Sequence, residues 1–122
     1  MSPHSRIGSV AADCADLQLM VTFWGAALEY RVSSSGRGWT YLVDPRGRKP
    51  GLFLQEVPDP TPGKNRWHLD LYAEDEEAEA ARLQALGATR VRKFEKHEGD
   101  ITGTVLIVMR DVEGNYFCVV RA

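Results

Sequence analysis

The segment Trp67 to Tyr72 alternates apolar residues with polar or aromatic ones, a pattern that predicts a β-strand. Because alternate side chains of a strand lie on one face, we expect His68, Asp70 and Tyr72 to share a face. An imidazole beside a carboxylate can act as an acid–base pair in proton transfer. The same two groups can also form a structural pair without any catalysis. The sequence leaves both interpretations open.

Two other residues in predicted strands have side chains that could do chemistry. Cys118 stands between Phe117 and Val119. There it is either a small buried apolar residue or a nucleophile that a neighbouring imidazole activates. Gln55 could satisfy polar neighbours or hold the carbonyl group of a ligand. Cys14 has no neighbour in the sequence that suggests chemistry.

Aromatic residues recur on the predicted strands. Trp39 and Tyr41 alternate along one strand, and Phe53 and Tyr116 occupy two others. An aromatic surface with a few polar groups is the usual make-up of a site for a small ligand. The alternative is that these rings only fill the interior of the fold.

Composition narrows the classes of protein to which these residues could belong. The chain has 122 residues, with 15 basic and 17 acidic side chains and a net charge of −2. This balance argues against a nucleic-acid binder, and no apolar run approaches the roughly 18 to 20 residues of a membrane span. The first residues have no apolar stretch, so we expect no secretory signal and a cytoplasmic location. The two cysteines cannot form a disulfide framework.

An internal repeat organises the candidate residues. Ser9 matches His68 at an offset of 59 (68 − 9), and Asp16 matches Asp75 at the same offset (75 − 16). Near the end of each copy, the segment that begins at Gly51 matches the one that begins at Gly114, at an offset of 63 (114 − 51). Each copy reads as a strand, a helix and three strands.

The two predicted helices begin at Asp16 and Asp75, which are good N-cap residues. Helical spacing gives the first helix an apolar stripe made of Leu17, Met20, Val21, Trp24 and Leu28. The second helix is expected to use Ala78, Ala81, Leu83 and Leu86, with Glu76 and Glu77 in its positive first turn and Gly87 at its end.

The remaining strands are predicted at 30–33, 38–43, 51–57, 89–94, 103–110 and 115–121. A segment with three prolines, 58–65, separates the two copies and is expected to be a linker. The chain is therefore predicted to be one domain, with module 1 at about 5–57 and module 2 at about 66–122. Modules of this size bury little surface alone, so we expect them to share a core.

This pattern resembles the vicinal oxygen chelate superfamily, which holds the glyoxalases, the extradiol dioxygenases and the bleomycin-resistance proteins. The resemblance is carried by the Asp-Val-Glu-Gly-Asn run at 111–115 and by the segments 64–71 and 115–120, which are similar to the glyoxalase-like domain branch. It implies an α+β fold in which two βαβββ modules form a curved, half-barrel mixed sheet with the helices outside. It also implies that a homodimer is common.

The resemblance further implies four positions that hold a metal ion in the enzymes of the family, usually as His, Glu or Gln, His and Glu. Carried over to this chain, the positions are Ser9, Gln55, His68 and Cys118. Only His68 and Gln55 fit, and no carboxylate is present in the set. We therefore expect no cofactor. A divalent metal ion could bind only through His68 and Gln55, and we expect that metal site to be unoccupied.

Taken together, these observations predict a protein that holds a small organic molecule in the half-barrel, with neither nucleic acid nor membrane as partner. The expected ligand contacts are Ser9, Trp39, Tyr41, Phe53, Gln55, His68, Asp70, Tyr72, Tyr116 and Cys118. The alternative is a lyase, isomerase or epimerase on a small oxygenated substrate that uses His68 and Asp70 as catalytic residues. A third hypothesis is a dimerisation scaffold whose cavity is filled by its own side chains.

Overall fold

A computed structural model describes residues 6–60, 67–95 and 105–122. The chain divides into two compact units, Met1–Thr61 and Pro62–Ala122, which we call unit 1 and unit 2. Residues 61–65 of the predicted linker, residues 64–66 of the motif at 64–71 and the beginning of the strand predicted at 103–110 lie outside the described residues. In the described part of the chain, neither helix has the length and apolar character that a membrane span needs.

Unit 1 is one helix on a four-stranded mixed sheet. Its elements are β1 (Ser9–Cys14), α1 (Leu17–Leu28), β2 (Arg31–Gly36), β3 (Trp39–Val43) and β4 (Gly51–Glu56). The strand order is β1-β4-β3-β2, in which β1 and β4 are parallel and the other pairs are antiparallel. The outer strand β2 is exposed along its whole length.

Unit 2 repeats this arrangement. Its elements are β5 (Leu69–Ala73), α2 (Glu76–Ala85), β6 (Thr89–Phe94), β7 (Leu106–Arg110) and β8 (Tyr116–Arg121). The strand order is β5-β8-β7-β6, again with one parallel pair, β5 and β8. The prediction of an α+β fold made of two βαβββ modules is confirmed, and neither open sheet is closed into a barrel.

The two helices begin where the sequence predicts. Asp16 Oδ1 accepts a hydrogen bond from Leu19 N at 3.1 Å, and Asp75 Oδ1 accepts one from Ala78 N at 3.0 Å. Each carboxylate thus satisfies a backbone donor that the first turn leaves unpaired. Gly87 follows the end of α2 with a φ of 120°, a conformation that disfavours any side chain.

Each sheet has one face under its helix and one face away from it. In unit 1, α1 lies on β3 and β4 and covers Leu42, Leu52 and Leu54. In unit 2, α2 lies on β7 and β8 and covers the fully buried Ile107, Met109, Phe117 and Val119. Because strand side chains alternate, the other residues of these strands lie on what we call the open face of each unit.

The buried side of α2 differs from the predicted one. Of Ala78, Ala81, Leu83 and Leu86, only Leu83 is buried, and it is joined by Ala80 and Glu76. The helix has few large apolar residues, so its own pattern defines no single face and packing on the sheet decides which side is covered. The first helix buries Met20 and Trp24 as predicted, together with Phe23 and Ala27.

Glu76 is buried at the start of α2 because two cations neutralise it. Arg121 donates to both of its carboxylate oxygens, at 2.6 and 2.8 Å, and Lys93 Nζ lies 3.1 Å away. Lys93 also contacts Glu77, which in turn accepts two hydrogen bonds from Arg90. The sequence predicts only a favourable charge at the helix N-terminus, whereas the fold uses Glu76 to join α2 to β6 and β8.

A repeated turn precedes the last strand of each unit, and its offset between the units differs from the offset of 63 that the sequence predicts for these segments. Gly47 N donates to Asp44 O and Gly114 N donates to Asp111 O, and both glycines have positive φ. Asp111 thus corresponds to Asp44 at an offset of 67 (111 − 44), so the turn glycine of unit 2 matches Gly47 rather than Gly51. Extra residues after Gly47 delay the start of β4.

The ion pairs of α2 predict a loss of stability in acid. Hydrogen bonds from Arg121 hold the pKa of Glu76 at about 2, and those from Arg90 hold the pKa of Glu77 at about 2. A carboxylate whose pKa is lower in the folded state stabilises the fold above its ordinary pKa of 4.5. We therefore expect the urea midpoint of unfolding to fall as the pH decreases from about 4.5 to about 2.

The variant Glu76→Gln should lower the midpoint at neutral pH and make the midpoint less dependent on pH in this range. Glu74→Gln, which changes an exposed glutamate just before the helix, is the matched control and should keep the pH dependence. If the urea midpoint of Glu76→Gln depended on pH as that of the wild type does, the loss of stability in acid would not come from the ion pairs of Glu76.

Candidate functional site

The open face of unit 2 brings together three side chains that could do chemistry. Asp70 and Cys118 are directly opposite each other on the parallel strands β5 and β8, and His68 precedes β5 by one residue. His68 Nε2 lies 3.0 Å from Asp70 Oδ1. One donor atom of each of the three residues lies within 4.8 Å of those of the other two. The sequence predicts the shared face, and the strand pairing adds the sulfur atom to the pair.

These three groups are arranged from solvent toward the interior. The side chains of His68 and Asp70 are 46% and 48% exposed, whereas Cys118 is only 7% exposed. A half-exposed imidazole held by a carboxylate can exchange a proton with a bound molecule. An imidazole, a carboxylate and a thiol can also act together as metal ligands.

The open face of unit 1 is aromatic. The rings of Trp39 and Phe53 are stacked at a centroid distance of 5.6 Å with 19° between their planes, and Tyr41 lies 6.4 Å from Phe53. All three side chains are half-buried. The pairing of β3 with β4 brings these rings together, because it places Tyr41 opposite Phe53.

Two glycines make room for these rings. A Cβ atom on Gly36 would lie 2.4 Å from the indole nitrogen of Trp39, and one on Gly51 would lie 2.5 Å from the hydroxyl oxygen of Tyr41. The rings of Trp39 and Tyr41 therefore lie directly over the backbone of neighbouring strands. A residue with a side chain at either glycine would force the ring above it to move.

Polar groups border the aromatic rings on one side. Gln55 is opposite Trp39 on one neighbouring strand and opposite Asp13 on the other, and its Nε2 donates to Asp13 Oδ1 at 2.8 Å. Ser9 is opposite Gly51, four residues along β4 from Gln55, which is about 13 Å at 3.3 Å per residue. Ser9 and Gln55 are therefore not brought together.

The strand pairing also changes which residues of the two units correspond. Ala11 is opposite Phe53 and Asp70 is opposite Cys118. The first strands are thus related by 59 (70 − 11) and the last strands by 65 (118 − 53), rather than by 63. Phe53, not Gln55, takes the position in unit 1 that Cys118 has in unit 2, so the cluster of imidazole, carboxylate and thiol has no counterpart at the matching positions of unit 1.

Tyr72 and Tyr116 complete the predicted set. Tyr72 lies two residues after Asp70 on β5 and is largely exposed. Tyr116 is half-buried at the start of β8. Sequence reasoning missed Asp13, whose carboxylate orients Gln55. The alternation of Ser9, Ala11 and Asp13 along β1 places Asp13 on the open face, but only the pairing of β1 with β4 brings it to Gln55.

The comparisons with known proteins agree with this architecture. The glyoxalase-like domain family matches residues 9–120, nearly the whole chain. The chain belongs to the glyoxalase-like domain family. No curated protein matches this glyoxalase-like chain.

Several solved structures have the same fold. A glyoxalase/bleomycin resistance protein/dioxygenase family enzyme from Burkholderia phytofirmans PsJN is similar over 95% of this chain and 98% of its own, with 17% identity and a TM-score of 0.77. A mutant of the fosfomycin resistance protein FosX from Listeria monocytogenes, complexed with Mn(II) and dihydroxypropylphosphonic acid, has 14% identity and a TM-score of 0.77, with 97% and 90% of the two chains covered.

A lactoylglutathione lyase from Agrobacterium tumefaciens is similar with 19% identity and a TM-score of 0.68, and the match covers 97% of this chain and 94% of the other. At these identities the similarity shows the fold alone. The resemblance of this glyoxalase-like domain to the vicinal oxygen chelate superfamily is confirmed at the level of family and architecture.

Proposed function

We propose that this glyoxalase-like protein binds a small organic molecule that has a planar aromatic part. The observation that carries the proposal is the row of three rings, Trp39, Phe53 and Tyr41, on the open face of unit 1. Rings that are only half-buried still offer apolar surface to a planar ligand. Binding on this surface uses no metal ion.

The supporting polar groups lie at the edge of the rings. Donation from Gln55 Nε2 to Asp13 fixes the side-chain amide, so Gln55 Oε1 can accept a hydrogen bond from a hydroxyl or amide of the ligand. Ser9 is exposed on the same face and can contact a ligand that extends beyond Tyr41. A few polar groups beside an apolar surface are what orients a ligand in most small-molecule sites.

The residues on the open face of unit 2 are further candidate ligand contacts, namely His68, Asp70, Tyr72, Tyr116 and Cys118. We also propose a homodimer in the cytoplasm, as the family resemblance and the composition suggest. Light scattering on the purified protein tests the dimer, and a monomer at micromolar concentration would contradict it.

A matched pair of ligands tests the binding proposal. We expect 2-naphthol, which is flat and aromatic, to raise the melting temperature and to show saturation transfer from the protein in NMR spectra. Decahydro-2-naphthol has the same skeleton and hydroxyl group without the flat ring and should bind much more weakly. Equal binding of the two compounds, or binding of neither across related aromatic compounds, would contradict the proposal.

A second candidate function is proton transfer by a lyase, isomerase or epimerase, and it is supported by the 3.0 Å contact between His68 and Asp70. When Nε2 of the neutral ring donates to the carboxylate, Nδ1 is left as the acceptor that can take a proton from a substrate. Asp70 would then hold the ring and its tautomer, and His68 would act as the base. The similarity in fold to a lactoylglutathione lyase is compatible with this chemistry.

This candidate predicts that His68→Gln lowers catalysed proton exchange by about 100-fold or more, the usual contribution of a general base. Hydrogen–deuterium exchange of the α-proton of small 2-hydroxyketones, followed by NMR in D₂O, measures it. Asp70→Asn should reduce the exchange as well, whereas His97→Gln is the control and should not. Exchange that is unchanged in His68→Gln would exclude His68 as the base.

A further inference from the structure

The outer strand β6 carries three cationic side chains, of which two are neutralised and the third is not. Arg90 and Lys93 lie on the side of α2, where glutamates of that helix form ion pairs with them. Arg92 lies on the open face of unit 2, because it is opposite Val108 in the pairing of β6 with β7. Among the residues that the structure describes, no carboxylate forms an ion pair with Arg92.

A second arginine lies beside Arg92 on the same face. Arg110 is two residues after Val108 on β7, so its side chain is also on the open face. The strand register makes Arg110 the diagonal neighbour of Arg92, at a Cα separation of about 7–8 Å. Within the described part of the chain, Arg110 has no ion pair either. Two long cationic side chains can therefore reach one bound anion from adjacent strands.

An aromatic ring orients the first of these arginines. The guanidinium of Arg92 lies over the ring of Phe94, 4.2 Å from its centroid. This contact leaves the N–H groups along the edge of the guanidinium able to donate hydrogen bonds. A guanidinium has five N–H donors, whose fork matches two oxygens of a carboxylate or a phosphate group. Arg92 is therefore held in an orientation in which it can bind such an oxyanion.

Apolar side chains beside the arginines form a row across all four strands of the sheet. Phe94 is opposite Leu106 on β7. Val120 on β8 continues the row from Leu106, and Tyr72 on β5 ends it. The row crosses three strand spacings, about 14 Å at about 4.8 Å each. Both of its ends, Phe94 and Tyr72, are exposed, and exposed apolar surface bordered by charge is typical of a binding site.

The charges on this face favour an anion. Asp70 is the one carboxylate that the described strands of unit 2 place on the open face, and its Oδ1 is 3.0 Å from Nε2 of His68. It lies on β5, at the opposite edge of the sheet from Arg92 on β6. The two arginines therefore give their side of the face a positive charge, although the whole chain has a net charge of −2.

We propose that Arg92 and Arg110 bind the carboxylate or phosphate group of a small organic anion, whose apolar part lies on the row from Phe94 to Tyr72. The site goes beyond ligand binding on the aromatic surface of unit 1 and is independent of it, because it uses no residue of that unit. The alternative is that both guanidinium groups are only solvated.

Matched ligands without a flat ring test this site separately from the aromatic surface. The probes are cyclohexanecarboxylate, cyclohexyl phosphate and the neutral cyclohexanecarboxamide, and NMR titration of the arginine Nε–H signals measures their affinities. We expect at least one of the two anions to bind about tenfold or more tightly than the amide, because its hydrogen bonds with the arginines are charge-assisted. Added salt should weaken that binding. If neither anion bound more tightly than the amide, the proposal would be overturned.

Two further comparisons define the ligand. Whichever of the two organic anions binds more tightly identifies the oxyanion that the arginines prefer, and either preference supports the site. Inorganic phosphate should bind more weakly than cyclohexyl phosphate, since it makes no contact with the apolar row. Equal binding of these two phosphates would show that the row contributes nothing and would overturn the proposal of an organic anion.

Variants of the two arginines locate the site. Arg92→Gln and Arg110→Gln should each weaken binding of the preferred anion about tenfold or more, because each removes a charged hydrogen-bond donor. Arg92→Lys keeps the charge but not the fork, so its affinity should lie between those of wild type and Arg92→Gln. Arg37→Gln, which changes an exposed arginine in the turn between β2 and β3, is the matched control and should stay within about twofold.

The contrary results separate this site from the aromatic surface of unit 1. Anion affinity that is unchanged in Arg92→Gln or in Arg110→Gln would overturn the site. Both variants should bind 2-naphthol as the wild type does, and a loss of that binding would contradict the independence of the two surfaces. Both side chains are exposed, so we expect the variants to fold, and far-ultraviolet circular dichroism checks this.

Discussion

Replacing Trp39 with alanine is expected to weaken the binding of planar aromatic ligands by about 10- to 100-fold, since stacking on an aromatic side chain contributes about 1–3 kcal/mol. Trp39 is the largest ring of the aromatic row and is stacked on Phe53, so its loss removes both a contact surface and the support of a second ring. Isothermal titration with 2-naphthol measures the change in affinity.

Trp67 provides the matched control for this variant. It is the same type of residue but 89% exposed and lies just before β5, in unit 2. Trp67→Ala should leave the affinity for the ligand within about twofold, because a surface substitution away from the aromatic row changes little. Similar losses in the two variants would show that the aromatic row of unit 1 is not the binding surface.

The largest effect on stability is expected from Phe117→Ala. Phe117 is 1% exposed on β8 and stands opposite Leu69 on one side and Met109 on the other, beneath α2. Truncating a buried phenylalanine costs about 3–5 kcal/mol, which is a large part of the total stability of a small domain. Urea denaturation monitored by circular dichroism should show a much lower midpoint.

Phe94→Ala separates the effect of burial from that of residue type. Phe94 is 42% exposed at the end of β6, where the guanidinium of Arg92 lies 4.2 Å from its ring centroid. Its loss should cost only about 0.5–1 kcal/mol, the value of an exposed cation–π contact. If the two variants were equally stable, Phe117 would not be part of the core of unit 2.

The order of elements could be predicted from the sequence because each depends on local patterns. Asp16 and Asp75 are N-cap residues whose effect acts within one helical turn, and the strands follow alternation or apolar runs. The repeat then gave the βαβββ order of both units. The strand at 89–94 was predicted at its observed bounds, and most of the other strands were predicted to within one or two residues, but β2 runs to Gly36, three residues past its predicted end.

Matching the repeat by residue type gave the wrong correspondence for the last strands. Gly51 and Gly114 are both glycines, but Gly114 lies in an Asp-to-Gly turn whose counterpart is at Asp44 and Gly47. Gly51 instead provides space for the ring of Tyr41. Two glycines with different physical roles look the same in a sequence. The correct correspondence of the last strands therefore required the hydrogen bonds of the turns and the pairing of the strands.

The sequence by itself determined the modules, their helix starts and the shared face of His68 and Asp70, because alternation and capping act between residues close in the chain. Only the tertiary structure decided that Cys118 joins this pair, that Gln55 meets Asp13 and that Glu76 is buried beside Arg121. These contacts join residues more than 40 positions apart. They depend on the register of paired strands and on which side of a weakly amphipathic helix is covered, and neither is encoded in a local pattern.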